Sequence, residues 1–298
     1  MFTIKTKKEI EYMRESCKIV ALAQQAIKNA IKPGISTWEL NKIAEDVIYA
    51  NGAIPSCKNY PSGIKGIPAF PAGVCISVND EVIHGIPSKK VILKEGDIVS
   101  TDLCAYKNGF HGDATRTHIV GGKECATEEA RRLVEVTEQA FFEGIQFAKV
   151  GYRIGDISHR IGEYVEKNGF SVLKEFQGHG IGQDMHEDPG VPNYGKANKG
   201  LRLEAGMTLA IEPMVNAGGA DIDILDDGWT VVTLDRKFSS TLWKYNFNYR
   251  KRTRNIDNIV ILLYTILANC EKIPKMGGKN IGKRGCYRSW RNSYRNSS

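Results

Sequence analysis

Two aspartates, Asp102 and Asp113, flank an Asn108-Gly109 pair in the stretch STDLCAYKNGFHGDATRT, residues 100–117. The runs on either side alternate as strands do, and Asn-Gly is a strong short-range hairpin signal. A two-residue turn at this pair makes the numbers of facing residues sum to 217, with Asp113 opposite Cys104 and Asp102 opposite Thr115. Residues 102 and 104 point to one face, so the two carboxylates are diagonal neighbours. Carboxylates that close repel unless they are protonated or bridged by cations. An exposed acidic rim is the plain alternative. The flanking Val99, Leu103, Ile119 and Val120 read as buried strand, which favours a metal site.

Further candidate ligands lie downstream. GHGIGQDMHEDPG (178–190) sets His179 among glycines and His186 seven residues later, and GMTLAIEPMV (206–215) reads as an apolar strand with one acid, Glu212. A histidine beside glycines is commonly a packed turn residue. An ionised carboxylate in an apolar strand is harder to dismiss, because it does not stay buried without a partner. Two Asp, one Glu and one His form a mostly hard oxygen set, suited to Mn, Fe or Co type ions. Two such ions about 3.5–4 Å apart can polarise a carbonyl and supply hydroxide.

These residues need elements to hold them. Residues 7–30 carry Ile10, Met13, Cys17, Val20 and Ile27 at helical spacing, and Pro33-Gly34 stops that helix. A second helix starts at Ser36, which forms a capping box with Glu39, and ends at Gly52. The same signature returns 117 residues later: KPGISTWELNKIAEDVIYANG (32–52) aligns with KVGYRIGDISHRIGEYVEKNG (149–169). Chance likeness of two amphipathic helices is one explanation. The other is an α+β domain of two related halves whose sheets share a central site.

The totals bound the function. At 298 residues, 42% apolar and 25% charged, the composition is that of a globular protein of one large or two ordinary domains. No apolar run reaches membrane-spanning length, and MFTIKTKKEIEYMRE has no secretory apolar core, so a cytoplasmic location is expected. Seven cysteines without a CxxC pair read as reduced thiols. The net charge of +7 is unevenly spread. Residues 241–298 hold 13 Lys+Arg against 2 Asp+Glu, leaving 28 against 32 in the first 240 residues. A basic tail of this kind can signal nucleic acid.

From residue 3 to residue 239 the chain resembles the methionine aminopeptidase family, of the bacterial type without an N-terminal zinc extension. The resemblance rests on CISVNDEVIHGIP, GDIVSTDLCAYKNGFHGDATRT, GHGIGQDMHEDPGVPNYG, LEAGMTLAIEPM and DGWTVVTLD. It implies the pita-bread fold, with two pseudo-twofold halves, a central antiparallel sheet and outer helices. It also implies two divalent metal ions. Asp102, Asp113, His179 and Glu212 are then metal ligands, with Glu212 also handling the proton of the attacking water. His84 matches the histidine near the scissile amide, and His186 the one that contacts the substrate carbonyl. Phe70, Cys75, Met185 and Trp229 fall where the family lines its methionine pocket; as bare sequence they read as core. The implied reaction removes the initiator methionine from nascent polypeptide N-termini, at the ribosome, with a small second residue preferred. A monomer is expected, with no membrane partner. A proline-specific relative, or a non-catalytic module binding peptide or nucleic acid, are the competing readings.

The family pattern breaks after VVTLD. A last strand bearing a second bridging Glu is expected, but no acid occurs between Asp235 and Asp257. Read one base later from Ser240, the codons permit AHYGNTISITEKEPEILT, close to the family's final strand. Gly282 to Ser297 treated likewise permits EKEDVIEVGGTVIETL, which resembles the start of bacterial translation initiation factor one. A frameshift near Ser239 explains both. Trp243 has a single codon, so the shifted frame places Gly where the family has Glu. The expected organisation is an aminopeptidase domain over 1–239 and an out-of-frame or disordered basic tail over 240–298, which argues against nucleic-acid binding and for impaired activity.

Overall fold

A computed structural model describes residues 2–241 of the chain. The basic tail beyond Thr241, with the out-of-frame reading and Trp243, lies outside the described residues.

Helix α1 (Lys7–Ala30) starts at Thr6, whose hydroxyl accepts from the Glu9 amide while the Glu9 carboxylate takes the Thr6 amide. Its predicted stripe of Ile10, Met13, Cys17, Val20 and Ile27 is buried. Gln24 lies on the same face, and its side-chain amide donates to the carbonyls of Thr101 (2.8 Å) and Ala114 (2.9 Å). A buried polar group thereby fixes the helix across two strands at one register. Helix α2 (Thr37–Ala50) begins in the predicted Ser36–Glu39 capping box.

The strands that follow are β1 (Ile54–Pro55), β2 (Cys75–Val78), β3 (Glu81–Ile83), β4 (Ile98–Lys107) and β5 (Phe110–Ile119). Strands β4 and β5 form the expected hairpin: ten pairs run from Ile98↔Ile119 to Lys107↔Phe110, every one summing to 217. Asn108 (φ 54°) and Gly109 (φ 85°) take the left-handed conformations that a two-residue turn requires. One hairpin face carries Leu103, Ala105 and Ala114 into the main core, and the other presents Asp102, Cys104 and Asp113. Gly112 allows the hairpin to lie tightly under α1, since a Cβ there would stand 2.4 Å from the Cys17 amide nitrogen.

The second half repeats the order. Helices α3 (Glu128–Ile145) and α4 (Ile154–Lys167) pack on each other, and short strands follow. They are β6 (Ser171–Val172), β7 (Gly178–Gly180), β8 (Glu187–Val191), β9 (Leu209–Ala210), β10 (Met214–Asn216), β11 (Ile222–Ile224), β12 (Val231–Thr233) and β13 (Ser239–Thr241). All pairings are antiparallel, and they group into four small sheets, ordered β1-β4-β2 with β5 on β4, β13-β10-β6, β11-β12-β3 and β8-β7-β9. The expected central sheet is thus divided into four patches.

The single strand read over 206–215 is divided as well. Strand β9 pairs with β7, β10 pairs with β6 and β13, and Glu212 lies in the break between them. Pro213 has no amide to continue a ladder, and the chain changes sheets there. Strand β13 carries the ordered fold across residue 239, through Ser240 and Thr241, which pair with Val215 and Met214. No helix among the described residues is long and apolar enough to cross a membrane. Of the seven cysteines, the five among the described residues are all free thiols.

Candidate metal centre and substrate cavity

A cavity of about 710 Å³ opens where the four sheets meet. Cys75 of β2 and Asp102 of β4 line it from the first sheet, Met214 and Thr241 from the second, Val82 and Ile83 of β3 from the third, and Gly178 and His179 from the fourth. All ten predicted site residues line this one cavity: Phe70, Cys75, His84, Asp102, Asp113, His179, Met185, His186, Glu212 and Trp229. They are spread over 160 positions of sequence, and only the tertiary fold gathers them.

Asp113, His179 and Glu212 each offer a ligand atom, and these atoms lie within 4.8 Å of one another. His179 Nε2 stands 3.0 Å from Glu212 Oε1 and 3.9 Å from Asp113 Oδ2. Its Nδ1–H donates to the carbonyl of Gly180 at 2.8 Å, which fixes the ring and turns Nε2 toward the carboxylates. Asp102 stands outside that trio but interacts directly with the Asp113 carboxyl, and its Oδ1 accepts from Thr115 Oγ1 at 2.7 Å. Thr115 faces Asp102 in the hairpin register, so this supporting contact was legible beforehand. Glu212 is held from its backbone, where Asn193 Nδ2 donates to its carbonyl at 2.5 Å.

The electrostatics are those of a site built for positive charge. Burial, then the negative charges of Asp102 and Glu212, pushes the Asp113 carboxyl well above the ordinary aspartate range. Burial and Glu212 raise Asp102 to about 6. Burial alone would lower His179, but Glu212 and Asp113 outweigh it and lift the imidazole to about 9. Asp113 Oδ1 is buried without a hydrogen-bond partner. Orphaned buried acceptors are costly, and a cation satisfies this one together with its neighbours. The donor set of carboxylate oxygens and one imidazole therefore fits divalent metal.

The remaining walls are apolar and soft. Phe70 is buried and stacks edge-on to Trp229 at 5.3 Å, with Cys57, Cys75, Cys104 and Met185 in the same cluster. Trp229 Nε1 donates to the Pro68 carbonyl at 2.9 Å, which holds the indole. The His84 ring packs against Phe176 (5.7 Å) and Trp229 (6.3 Å), and burial lowers its pKa to about 4. The His84 backbone is left-handed (φ 58°), a conformation stored at few non-glycine positions. Tyr60 OH meets His186 Nδ1 at 2.8 Å. The desolvating cavity walls, then His179 and His84, lower His186 to about 4. Tyr60, Cys57 and Phe176 carried no signal in the sequence, since each could equally have been core, whereas the hairpin register already set Cys104 opposite Asp113.

Residues 11–251 match the sequence profile of metallopeptidase family M24. Methionine aminopeptidase 1 of Bacillus subtilis is 51% identical over 237 residues, covering 80% of this chain and 91% of that protein. The methionine aminopeptidase of Clostridium perfringens is 50% identical over 240 residues, covering 80% and 92%. The crystal structure of methionine aminopeptidase from Thermotoga maritima aligns with a TM-score of 0.76 at 41% identity, covering 81% of this chain and 93% of that one. Prolidase from Pyrococcus furiosus, at 24% identity and a TM-score of 0.62, shares the fold over 80% of this chain and 60% of its own.

Proposed function

Because the chain belongs to metallopeptidase family M24, with the pita-bread fold and metallo-aminopeptidase character of that family, we propose that its cavity removes N-terminal methionine from nascent polypeptides in the cytoplasm. One observation carries this reading: three carboxylates and a histidine converge beside a pocket of aromatic rings, thiols and a thioether. The acids suit the polar end of a peptide N-terminus, and the soft walls suit an unbranched thioether side chain.

Asp102, Asp113, His179 and Glu212 would hold two divalent ions, which when bound supply charge for a polarised amide and an activated water. Glu212 holds the proton taken from that water on its carboxylate. Phe70, Cys75, Met185 and Trp229 enclose the methionine side chain and exclude solvent. His186 is neutral at pH 7, and with the Tyr60 hydroxyl donating to its Nδ1 the ring proton sits on Nε2. That N–H donates to the substrate carbonyl. His84, also neutral, orients the scissile amide, and the strained backbone at that position aims the ring into the pocket. A small second residue is preferred because these imidazoles crowd the space next to the carboxylates.

No acid occurs between Asp235 and Asp257, where the family pattern calls for a last bridging Glu, and we propose that metal affinity and turnover are impaired for that reason. The test is methionine release from Met-Ala, Met-Leu and Ala-Pro peptides across a manganese titration. Weak release confined to Met-Ala supports the reading; cleavage of Ala-Pro in its place would sink it. Replacing residues 240–298 with the final segment of the Bacillus subtilis relative raises the Met-Ala rate if the acid is the defect. Reading the genomic DNA across codons 235–245 decides whether the shifted frame exists in the cell.

A further inference from the structure

Building on the aminopeptidase reading, we propose that the substrate chain beyond its second residue leaves the catalytic cavity across Gly190 and Gln177 and lies in a neighbouring groove that favours acidic side chains. The groove has a volume of about 400 Å³ and lies between the start of α4 and the chain that follows β8. Gln177 and Gly190 line both it and the catalytic cavity, so the two spaces share a wall. The wall is thin at that point for a specific reason: a Cβ on Gly190 would stand 2.2 Å from Gln177 Nε2, and the glycine leaves that room to the amide side chain. A peptide crossing this wall meets a polar amide and a bare backbone.

The groove itself has an apolar floor from Ile154, Pro192 and Leu201, with Tyr194 exposed at its edge. Lys196 and Lys199, both exposed, are the only charged residues in its lining among the described residues. The backbone around it is already engaged: Gly155 N donates to the Lys199 carbonyl, and both Asp156 oxygens accept amides, from Arg153 (2.8 Å) and Asn198 (2.7 Å). Arg153 Nη1 donates to the Gly200 carbonyl. The free charge at the groove is therefore that of the two lysines, not a helix terminus. Strand β8 is an edge of its sheet, but Pro189 and Pro192 remove donors on either side of Gly190, so selection falls on side chains more than on backbone pairing.

The sign is chemically sensible. Asp102, Asp113 and Glu212 make the catalytic cavity a poor place for an acidic substrate residue. A cationic groove one step further out reverses that bias for residues three onward. Exposed lysines act weakly and over a range set by salt, so the preference is modest and ionic-strength dependent.

Equilibrium binding to the manganese-loaded full chain tests this. The probes are Met-Ala-amide, Met-Ala-Ala-Asp-Glu-amide and Met-Ala-Ala-Lys-Lys-amide, each with its first amide replaced by CH2–NH so that nothing is cleaved. The acidic pentapeptide is expected to bind about three- to tenfold tighter than the basic one at low salt, with the gap closing near 0.5 M salt. The double variant Lys196→Glu, Lys199→Glu should reverse the order while leaving Met-Ala-amide affinity unchanged. Equal affinity of the two pentapeptides, or a preference that survives the double variant, overturns the groove. Failure of the same manganese-loaded chain to release methionine from unmodified Met-Ala-amide would instead overturn the aminopeptidase reading, and the groove with it.

Discussion

Helix α2 begins at Ser36, whose hydroxyl accepts from the Glu39 amide (3.2 Å) while the Glu39 carboxylate accepts from the Ser36 amide (2.9 Å). Its counterpart α4 begins at Arg153, which has no hydroxyl to offer, and Asp156 serves there by taking the amides of both Arg153 and Asn198. The contrast extends to the strands. Asp102 and Asp113 stand on a hairpin of ten consecutive pairs, whereas His179 and Glu212 stand on or between strands of two and three residues. The two halves share a helical frame, but the first positions its candidate ligands by local pairing and the second by contacts with distant segments.

Removing one proposed ligand from each half gives the largest test of that contrast. Asp113→Asn is expected to lower manganese affinity by at least about a hundredfold in calorimetry, exceeding what loss of an outer-shell partner costs. Glu212→Gln should cost as much in turnover but less in affinity, because its neighbour His179 remains anchored through Gly180. Equal losses of affinity would mean that the halves hold metal equivalently.

Phe70→Ala comes next. It empties a buried aromatic position at the cavity wall, and about 3–5 kcal/mol of stability should disappear in denaturant unfolding. A parallel rise in KM for methionine peptides would tie that wall to the substrate.

The pH dependence separates the halves by window. With chelator present, Asp102 has a folded value of about 6 above its ordinary 3.8, so its ionisation costs stability as pH rises between those values. His179 has a folded value of about 9 above its ordinary 6.5, and the stability gained below 6.5 is lost as pH climbs to 9. Between pH 4 and 6.5 the lowered values of His84 and His186 add stability as pH rises and oppose Asp102, whereas above 6.5 His179 acts without that opposition, so Tm of the metal-free protein should fall by roughly several degrees from pH 6.5 to pH 9. His179→Gln should remove the upper window alone, and a flat Tm would contradict the charge arrangement.

The caps give the smallest effect. Ser36→Ala is expected to cost about 1 kcal/mol and Asp156→Ala somewhat more, since Asp156 also holds the Asn198 amide. The reverse ranking would show that the second half's substitute cap is the weaker one.

Much of the first half could be read in advance because its determinants are local. The α1 stripe, the Ser36 capping box and the Asn108-Gly109 turn each lie within a few residues of what they organise, and the register followed from one sum. Glu212 stood out as an acid in an apolar run and lines the cavity, yet its strand was misjudged, because the change of sheets at Pro213 depends on which strands stand on either side.

By itself the sequence determined the first helical pair, the return of its second helix's signature over 149–169, the hairpin and the face on which its aspartates stand, for periodicity and turn chemistry act over a turn of helix or a pair of strands. Tertiary structure alone decided that His179 and Glu212 meet Asp113, that the Tyr60 hydroxyl meets His186 Nδ1, and that Gly190 and Gln177 line two cavities at once. Those outcomes depend on segments up to 126 residues apart, as Tyr60 and His186 are, brought together by burial of a shared core that no local pattern encodes.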